Sequence, residues 1–322
     1  MSKPYVYITR SLPEDVVNQF QDIFDIHMWD YEEKPVERET LLQEANKADA
    51  LITMLSDKVD EELLHECNQV KVIANLAVGY DNIDVQKADE KGITITNTPD
   101  VLTETTADLT FSLLMATARR IVEAAEYVKE GQWKNWAPLL LAGKDIHHKT
   151  IGIVGMGRIG EAVAKRATGF NMDILYHNRS RKEHAEQELG AKYVSFDDLL
   201  EQSDYVVCLA PLTKETKGMF DQKAFEKMKS TAIFVNASRG ANVDEEALYK
   251  ALEDGEIQAA GLDVFAQEPI SSDHPLLQLE NVVALPHIGS SSEETRKNMM
   301  ELCFENIQRV WNGQEAKTKV NP

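Results

Sequence analysis

Two hydrophobic patterns alternate along the first part of the chain. Short apolar runs typical of buried strands are separated by stretches whose apolar residues recur at helical spacing. Strands are predicted at Tyr5 to Thr9, Ile26 to Trp29, Ala50 to Leu55, Val70 to Ala74 and Ile93 to Asn97, and helices at Glu14 to Phe24, Glu39 to Ala48, Glu61 to Cys67 and Val85 to Lys91. Such an alternation predicts a parallel sheet covered by helices.

The same alternation starts again after a long helical stretch, Thr103 to Glu130, and an irregular segment that contains Trp133, Trp136 and Pro138. Further strands are predicted from Ile151 and at Asp173 to His177, Tyr205 to Leu209, Ala232 to Asn236, Ala259 to Val264 and Val282 to Ala284, followed by a last helix from Ser292 to Asn312. A length of 322 residues also favours about two domains. We therefore predict two doubly wound α/β units, with the last helix returning to the first.

Composition narrows the classes of partner. The chain is 43% hydrophobic and 27% charged, and its 54 acidic against 34 basic residues give a formal net charge of -20. That charge repels nucleic-acid phosphates and anionic membrane surfaces, so neither is an expected partner. An anionic substrate would need a local arginine to overcome it.

The cysteines, the apolar runs and the histidines of the sequence indicate the compartment of the protein and whether it binds a metal. Cys67, Cys208 and Cys303 are far apart and form no C-x-x-C pair, which argues against disulfides and zinc and favours a reducing compartment. No apolar run approaches the roughly 20 residues that span a bilayer, and we expect a cytoplasmic protein. His147-His148 lacks H-E-x-x-H spacing, so we expect no metal.

A glycine motif follows the strand that begins at Ile151. Gly155, Gly157 and Gly160 are spaced G-x-G-x-x-G, and helix-forming residues follow them. On a strand-to-helix turn, the first glycine permits the tight turn, the second lets backbone approach a pyrophosphate, and the third allows close packing of the helix. The helix N-terminus offers unpaired N–H groups to the anion. The motif therefore predicts a dinucleotide site.

The end of the next strand bears on the choice of dinucleotide. An NAD site usually has an acidic residue at this position, which binds the ribose 2′-hydroxyl. Here the sequence is His177-Asn178-Arg179-Ser180-Arg181. Arginine and amide donors suit a 2′-phosphate instead. We predict NADP(H) as the preferred cofactor, with NAD(H) as the alternative. The other interpretation of these residues is a solvated basic turn on the surface.

Three residues that carry chemistry follow later strands. Arg239 comes after the strand ending at Asn236, Glu268 follows the strand ending at Val264, and His287 follows the strand ending at Ala284. Because ligands of open α/β sheets bind at the carboxyl ends of the strands, these residues are predicted to share one rim. A cation, a carboxylate and an imidazole together suit the reduction of a keto acid.

These segments resemble the D-isomer-specific 2-hydroxyacid dehydrogenase family over essentially the whole chain. The similarity rests on Asn75 to Asn82, Gly155 to Gly160, Asn236 to Gly240, Asp263 to Pro269 and Pro286 to Ser290, in the family's order. Gln132 to Pro138 and the non-acidic Asn178 are most similar to glyoxylate/hydroxypyruvate reductases. The resemblance implies a Rossmann cofactor domain at residues 99–288, inserted in a flavodoxin-like substrate domain at residues 1–98 and 289–322.

The resemblance also implies roles for single residues. Arg239, Glu268 and His287 would be catalytic, and the substrate would be bound by Val78, Gly79 and Arg239. The cofactor would contact Gly155, Gly157, Arg158, Ile159, Gly160, Asn178, Arg179, Ser180, Arg181, Ala237, Asp263 and Gly289. A carboxylate beside His287 would favour its protonated form, which could then protonate the substrate oxygen.

We expect an NADPH-dependent reductase of a small 2-keto acid, and the sequence does not rank glyoxylate, hydroxypyruvate and 2-ketogluconate. A nucleotide-sensing, corepressor-like interaction protein without physiological turnover is the alternative, since the family resembled also contains such proteins. A homodimer is expected through residues 103–130 and the tryptophan segment. The resemblance further suggests that Trp136 reaches the partner's substrate pocket, while packing at the interface alone is the other interpretation.

Overall fold

The computed structural model describes residues 3–321 and divides into two compact units. The first comprises the chain up to Leu102 together with the segment from Ser292 onward, and the second comprises Thr103–Ser291. Both boundaries lie a few residues further along the chain than the sequence predicts. The first does so because Thr98 is still bound within the first unit, where its N–H donates to Ala77 O at 2.9 Å.

The first unit is built on a five-stranded parallel sheet with strand order β2-β1-β3-β4-β5. Its strands are β1 (Tyr5–Ile8), β2 (Asp25–Met28), β3 (Ala50–Thr53), β4 (Val72–Asn75) and β5 (Thr94–Thr96), and its helices are α1 (Glu14–Val17), α2 (Arg38–Lys47), α3 (Glu61–Glu66), α4 (Val85–Glu90) and α12 (Glu293–Trp311). β3 and β4 are buried along their whole length, as their continuous apolar runs predict. On α12, Phe304 stacks on Phe20 with ring centroids 4.4 Å apart.

The second unit is built on a seven-stranded parallel sheet with strand order β12-β11-β10-β9-β6-β7-β8. Its strands are β6 (Thr150–Val154), β7 (Asp173–His177), β8 (Lys192–Tyr193), β9 (Tyr205–Cys208), β10 (Ile233–Asn236), β11 (Ala259–Leu262) and β12 (Val282–Ala284). Its helices are α5 (Thr103–Ala118), α6 (Ile121–Lys129), α7 (Arg158–Thr168), α8 (Glu183–Leu189), α9 (Phe196–Gln202), α10 (Gln222–Lys227) and α11 (Glu245–Glu253). The prediction of two doubly wound parallel-sheet units is confirmed.

The larger sheet separates two hydrophobic cores. Along β9, Val207 belongs to the core that includes α5 and α7, whereas Val206 and Cys208 belong to the core that includes α9, α10 and α11. Successive side chains of a strand point to opposite faces, so one continuous apolar run serves both cores. Cys208 is fully buried as a core residue. Among residues 3–321, no helix is long and apolar enough to cross a membrane.

Two predicted helices were too long. The stretch Thr103 to Glu130 forms two helices, because Arg120 adopts a left-handed conformation (φ 52°) and the carbonyl of Ala118 accepts the N–H of Lys144 instead of continuing the helix. The stretch Glu14 to Phe24 is helical only over Glu14–Val17 and continues as turns. The hydrophobic periodicity of the sequence did not reveal where either helix ends. β8 was missed because both of its residues are exposed.

Candidate active site

Three strands of the larger sheet end beside one another and position the predicted catalytic residues. β10, β11 and β12 are neighbours and run parallel, so their carboxyl ends meet at one edge. Arg239 follows β10, Glu268 follows β11 and His287 follows β12. The second unit therefore gathers a guanidinium, a carboxylate and an imidazole at the rim where ligands of such sheets bind.

His287 and Glu268 form a direct pair. His287 Nδ1 lies 2.7 Å from Glu268 Oε2, and Glu268 Oε1 accepts the backbone N–H of Phe265 at 2.9 Å. An ionised carboxylate can only accept, so Nδ1 of the imidazole carries the proton that it donates to Glu268. The ring's second nitrogen, Nε2, is then left for a ligand.

The pair favours an ionised Glu268. Burial alone would raise the pKa of this carboxyl, but the hydrogen bond and charge of His287 and the N–H of Phe265, with a further contribution from the Arg239 guanidinium, bring its pKa below the ordinary value. Both side chains remain partly accessible, at 28% for His287 and 33% for Glu268. The charged carboxylate of Glu268 thus contacts the imidazole of His287, and the imidazole remains accessible to a ligand.

Backbone constraints hold these loops in place. The side chain of Asn236 donates to Arg239 O at 3.0 Å and accepts from Ser238 N–H at 3.1 Å, which folds the turn that carries the arginine. A Cβ on Gly240 would stand 1.8 Å from the carbonyl carbon of Phe265, so only glycine allows the two loops this approach. His287 itself adopts a left-handed backbone (φ 55°), which is uncommon outside glycine.

The buried carboxylate of Asp263 stabilises the segment after His287. Asp263 is 1% exposed, and its Oδ1 accepts the N–H of Ile288 at 2.8 Å. Burial raises the pKa of Asp263, opposed chiefly by the backbone N–H groups of Ile288 and Gly289 and the charge of His287. Ala237, also predicted at the cofactor, follows β10 and is half-buried.

The glycine motif lies on the strand-to-helix turn that the sequence predicts, between β6 and α7. Gly155 has φ 102°, and a Cβ there would meet Ala210 N at 2.5 Å; a Cβ on Gly160 would meet Gly155 O at 2.3 Å. By contrast, a Cβ on Gly157 would stand in open space. Arg158, Ile159 and Gly160 form the first turn of α7, whose N–H groups no capping side chain occupies. This turn fits a pyrophosphate.

The four residues after β7 differ in their contacts. Arg181 binds Glu186 with two hydrogen bonds, Nε to Oε1 at 3.0 Å and Nη2 to Oε2 at 2.5 Å. Asn178 Nδ2 donates to Ser180 O at 3.1 Å, and Arg179 is exposed. Arg179 is therefore better placed than Arg181 to receive a phosphate.

The two remaining predicted residues, Val78 and Gly79, lie in the first unit after β4. Their carbonyls are bound by side-chain amides: Asn97 Nδ2 donates to Val78 O at 2.8 Å and Asn75 Nδ2 donates to Gly79 O at 3.0 Å. The sequence did not single out either asparagine for this contact.

A second supporting contact was also missed. Glu245, the first residue of α11, accepts the N–H of Ala266 at 2.7 Å and lies 3.5 Å from His274 Nε2. Glu245 thereby stabilises the loop that carries Glu268. In the sequence, Glu245 looks like an ordinary acidic residue at a helix start, which hides this contact. Within the part of the chain described, no cluster of three or more His, Cys, Asp or Glu side chains is arranged to hold a metal ion.

Comparison with known proteins identifies a family for these features. Residues 111–289 match the family model described as D-isomer specific 2-hydroxyacid dehydrogenase, NAD binding domain. A glyoxylate reductase of Korarchaeum cryptofilum is 49% identical over 320 residues, 99% of this chain and 96% of that protein. The glyoxylate reductase of Pyrococcus furiosus is 48% identical over 323 residues, with the same coverage.

Solved structures are similar over nearly the full chain. A Thermus thermophilus protein superposes with a TM-score of 0.92 at 42% identity, covering 98% of this chain and 99% of that one. An NADPH-dependent glyoxylate/hydroxypyruvate reductase from Sinorhizobium meliloti, in complex with NADP and malonate, has a TM-score of 0.87 at 31% identity, covering 99% and 97%.

Proposed function

Since this chain belongs to the D-isomer-specific 2-hydroxyacid dehydrogenase family, we propose that it reduces a small 2-keto acid to the D-2-hydroxy acid with NADPH. Glyoxylate and hydroxypyruvate are the first candidate substrates, and 2-ketogluconate is the third. The names of the glyoxylate reductase relatives and of the Sinorhizobium meliloti enzyme support this choice of substrates.

The observation that carries the proposal is the 2.7 Å contact between His287 and Glu268. When bound, the reduced nicotinamide supplies the hydride that converts the carbonyl carbon to an alcohol carbon. The carbonyl oxygen then needs one proton, and the Nε2–H of a protonated His287 gives it. Glu268 stabilises the imidazolium before that transfer and keeps the ring oriented, while solvent returns the proton to His287 afterwards.

Donors for the acid group of the substrate are proposed for each unit separately. In the second unit, the guanidinium of Arg239 is permanently charged and its planar donors match a carboxylate. In the first unit, the backbone N–H groups of Val78 and Gly79 are the proposed donors. Local donors of this kind would favour a carboxylate despite the chain's net charge of -20.

The cofactor is assigned to the second unit. Gly155, Gly157 and Gly160, with Arg158 and Ile159 at the start of α7, would hold the pyrophosphate. Asn178, Arg179, Ser180 and Arg181 would meet the ribose and its 2′-phosphate, and Ala237, Asp263 and Gly289 would line the nicotinamide. The absence of an acidic residue from Asn178 to Arg181 supports NADPH over NADH.

A homodimer is the second part of the proposal. Ile121 and Val128 of α6 and the side chains of Trp133, Trp136 and Leu139 are each more than half exposed, Trp136 at 75%. Such a concentration of exposed apolar side chains is typical of a protein interface. A second copy of this chain is the proposed occupant of that surface.

The decisive experiment measures turnover of the purified protein. Glyoxylate, hydroxypyruvate and 2-ketogluconate are each supplied with NADPH and with NADH, and oxidation of the cofactor is followed by its absorbance. We expect turnover of at least one acid, with a higher kcat/KM for NADPH. A corepressor-like protein without physiological turnover, the alternative, would bind the cofactor and leave all three acids unreduced.

A further inference from the structure

Three consecutive carbonyls of the loop after β4 are each bound by a donor within the first unit. Ala77 O accepts the backbone N–H of Thr98 at 2.9 Å, Val78 O accepts the side chain of Asn97 at 2.8 Å, and Gly79 O accepts the side chain of Asn75 at 3.0 Å. Fixing the carbonyl of a planar peptide also fixes the N–H of the next residue.

In a trans peptide, the carbonyl oxygen and the following N–H point in opposite directions. The three bound carbonyls therefore direct the N–H groups of Val78, Gly79 and Tyr80 away from the residues that bind them. Within the described range 3–321, these three N–H groups have no hydrogen-bond acceptor. Successive unpaired N–H groups of this kind make an anion-binding cradle.

We propose that Asn97 and Asn75 are positioning residues, which hold this N–H cradle ready for the substrate carboxylate. The inference rests on the proposed function only in taking a 2-keto acid carboxylate as the anion. Neither asparagine needs to touch the substrate. Each asparagine acts through the peptide group to which it is hydrogen-bonded. A peptide that is already fixed loses less conformational entropy when the anion binds.

Both asparagines are themselves held by further contacts. The backbone of Asn97 is bound on both sides by Thr318, whose hydroxyl donates to Asn97 O at 2.6 Å and whose carbonyl accepts Asn97 N–H at 3.3 Å. The buried Asn306 of α12 donates to the Thr318 hydroxyl at 2.8 Å. The C-terminal segment thus supports Asn97.

Asn75 is 0% exposed and belongs to a buried network. Its Oδ1 accepts the hydroxyl of Thr53 at 3.1 Å, and its Nδ2 lies 3.3 Å from Asn82 Oδ1. Asn82 in turn donates to Asp57 O at 2.8 Å. The orientation of the Asn75 amide is therefore fixed, since only its nitrogen can donate to Gly79 O.

The test compares Asn97→Ala with a matched control, Asn321→Ala. Asn321 is also an amide of the first unit that binds backbone, but it is buried, whereas Asn97 is half-buried, and its partners are Ile93 and Ile95. For Asn97→Ala we expect KM for the keto acid to rise about 10- to 100-fold, the cost of one weakened bond to a charged group, with kcat changed less than about threefold. Cofactor Kd should be unchanged, and the control should keep the wild-type KM.

A second readout does not need turnover. Oxamate, an unreactive 2-keto acid analogue, is titrated calorimetrically into protein saturated with reduced cofactor, and Asn97→Ala should weaken its binding by the same factor as KM. If Asn97→Ala does not fold, Asn97→Ser provides the same measurement. Equal oxamate affinity in wild type and variant would overturn the positioning role. A wild-type protein that binds oxamate yet reduces no keto acid would instead contradict the proposed function.

Discussion

The Nδ1 atom of His287 lies 2.7 Å from Oε2 of Glu268, while the N–H of Phe265 holds the other carboxylate oxygen. Because Nδ1–H is directed at Glu268, the proton on Nε2 is the one that the imidazolium can give to a substrate. His287→Ala should therefore lower kcat for keto-acid reduction by about 10²- to 10⁴-fold, as expected for loss of a general acid. Cofactor Kd, measured by nicotinamide fluorescence, should stay near the wild-type value. A variant with near-normal kcat would remove His287 from the mechanism.

The pH dependence of the reaction follows from the same pair. Because the pKa of Glu268 is lowered, its carboxylate stays charged at neutral and mildly acidic pH, where it stabilises the imidazolium. Reduction needs that protonated ring, so kcat/KM for reduction should fall as the pH rises, and oxidation of the hydroxy acid should show the opposite limb. Glu268→Gln removes the stabilising charge, so its reduction limb should move to lower pH. An unmoved limb would mean that Glu268 has only a structural role.

The sequence predicted the strands and glycine turns well because their patterns are local. A fully buried strand such as β9 must be apolar along its length, and the turn at Gly155 needs the left-handed region that glycine tolerates. The end of α5 was not predictable in this way, because it depends on Arg120 and on the bond from Lys144 N–H to Ala118 O. Local sequence does not encode such a contact with a distant segment.

The same distinction applies to the candidate site. The residue types and strand positions of Arg239, Glu268 and His287 were enough to predict a shared rim. The contacts of Asn97 and Arg181 were not predictable, because an amide or a guanidinium has many partners within reach and only the folded backbone selects one.

Cofactor preference should depend on Arg179 more than on Arg181. Both arginine side chains are exposed, but Arg181 is engaged with the carboxylate of Glu186. Arg179→Ala should weaken NADPH binding about 10- to 100-fold, the range for a charge-assisted bond to phosphate, and leave NADH binding nearly unchanged. Arg181→Ala is the matched control, with a smaller effect on NADPH. Titrations of both cofactors measure this, and an equal loss for NADPH and NADH in Arg179→Ala would contradict the assignment.

The exposed tryptophan segment should be covered in solution by a second copy of the chain. Light scattering at micromolar concentration should give about twice the chain mass of 36.2 kDa, because Trp136 and Leu139 are 75% and 82% exposed in one copy. Trp136→Ala should weaken the dimer, and if this side chain reaches the partner's substrate pocket, it should also change the ranking of glyoxylate and hydroxypyruvate. Wild-type protein of monomeric mass would refute the dimer. An unchanged ranking would limit Trp136 to packing.

Two glycines of the second unit should differ in how far their replacement by alanine changes stability. Gly240 lies against the backbone of Phe265, where a Cβ would meet the carbonyl carbon at 1.8 Å, so Gly240→Ala should lower the free energy of unfolding by about 1–3 kcal/mol or more. At Gly157 a Cβ would stand in open space, and the φ of -88° is accessible to alanine. Gly157→Ala should therefore change stability by less than about 1 kcal/mol.

Cofactor binding distinguishes the two variants further. If the pyrophosphate approaches the backbone through the open space at Gly157, the methyl group introduced by Gly157→Ala should raise the Kd of NADPH at least about tenfold. The variant should nevertheless melt like wild type. Denaturant titration and fluorescence binding, carried out on the same preparations, measure both quantities. A Gly157→Ala protein with wild-type affinity for NADPH would show that the pyrophosphate does not pass over this residue, and the assignment of the glycine turn would have to be abandoned.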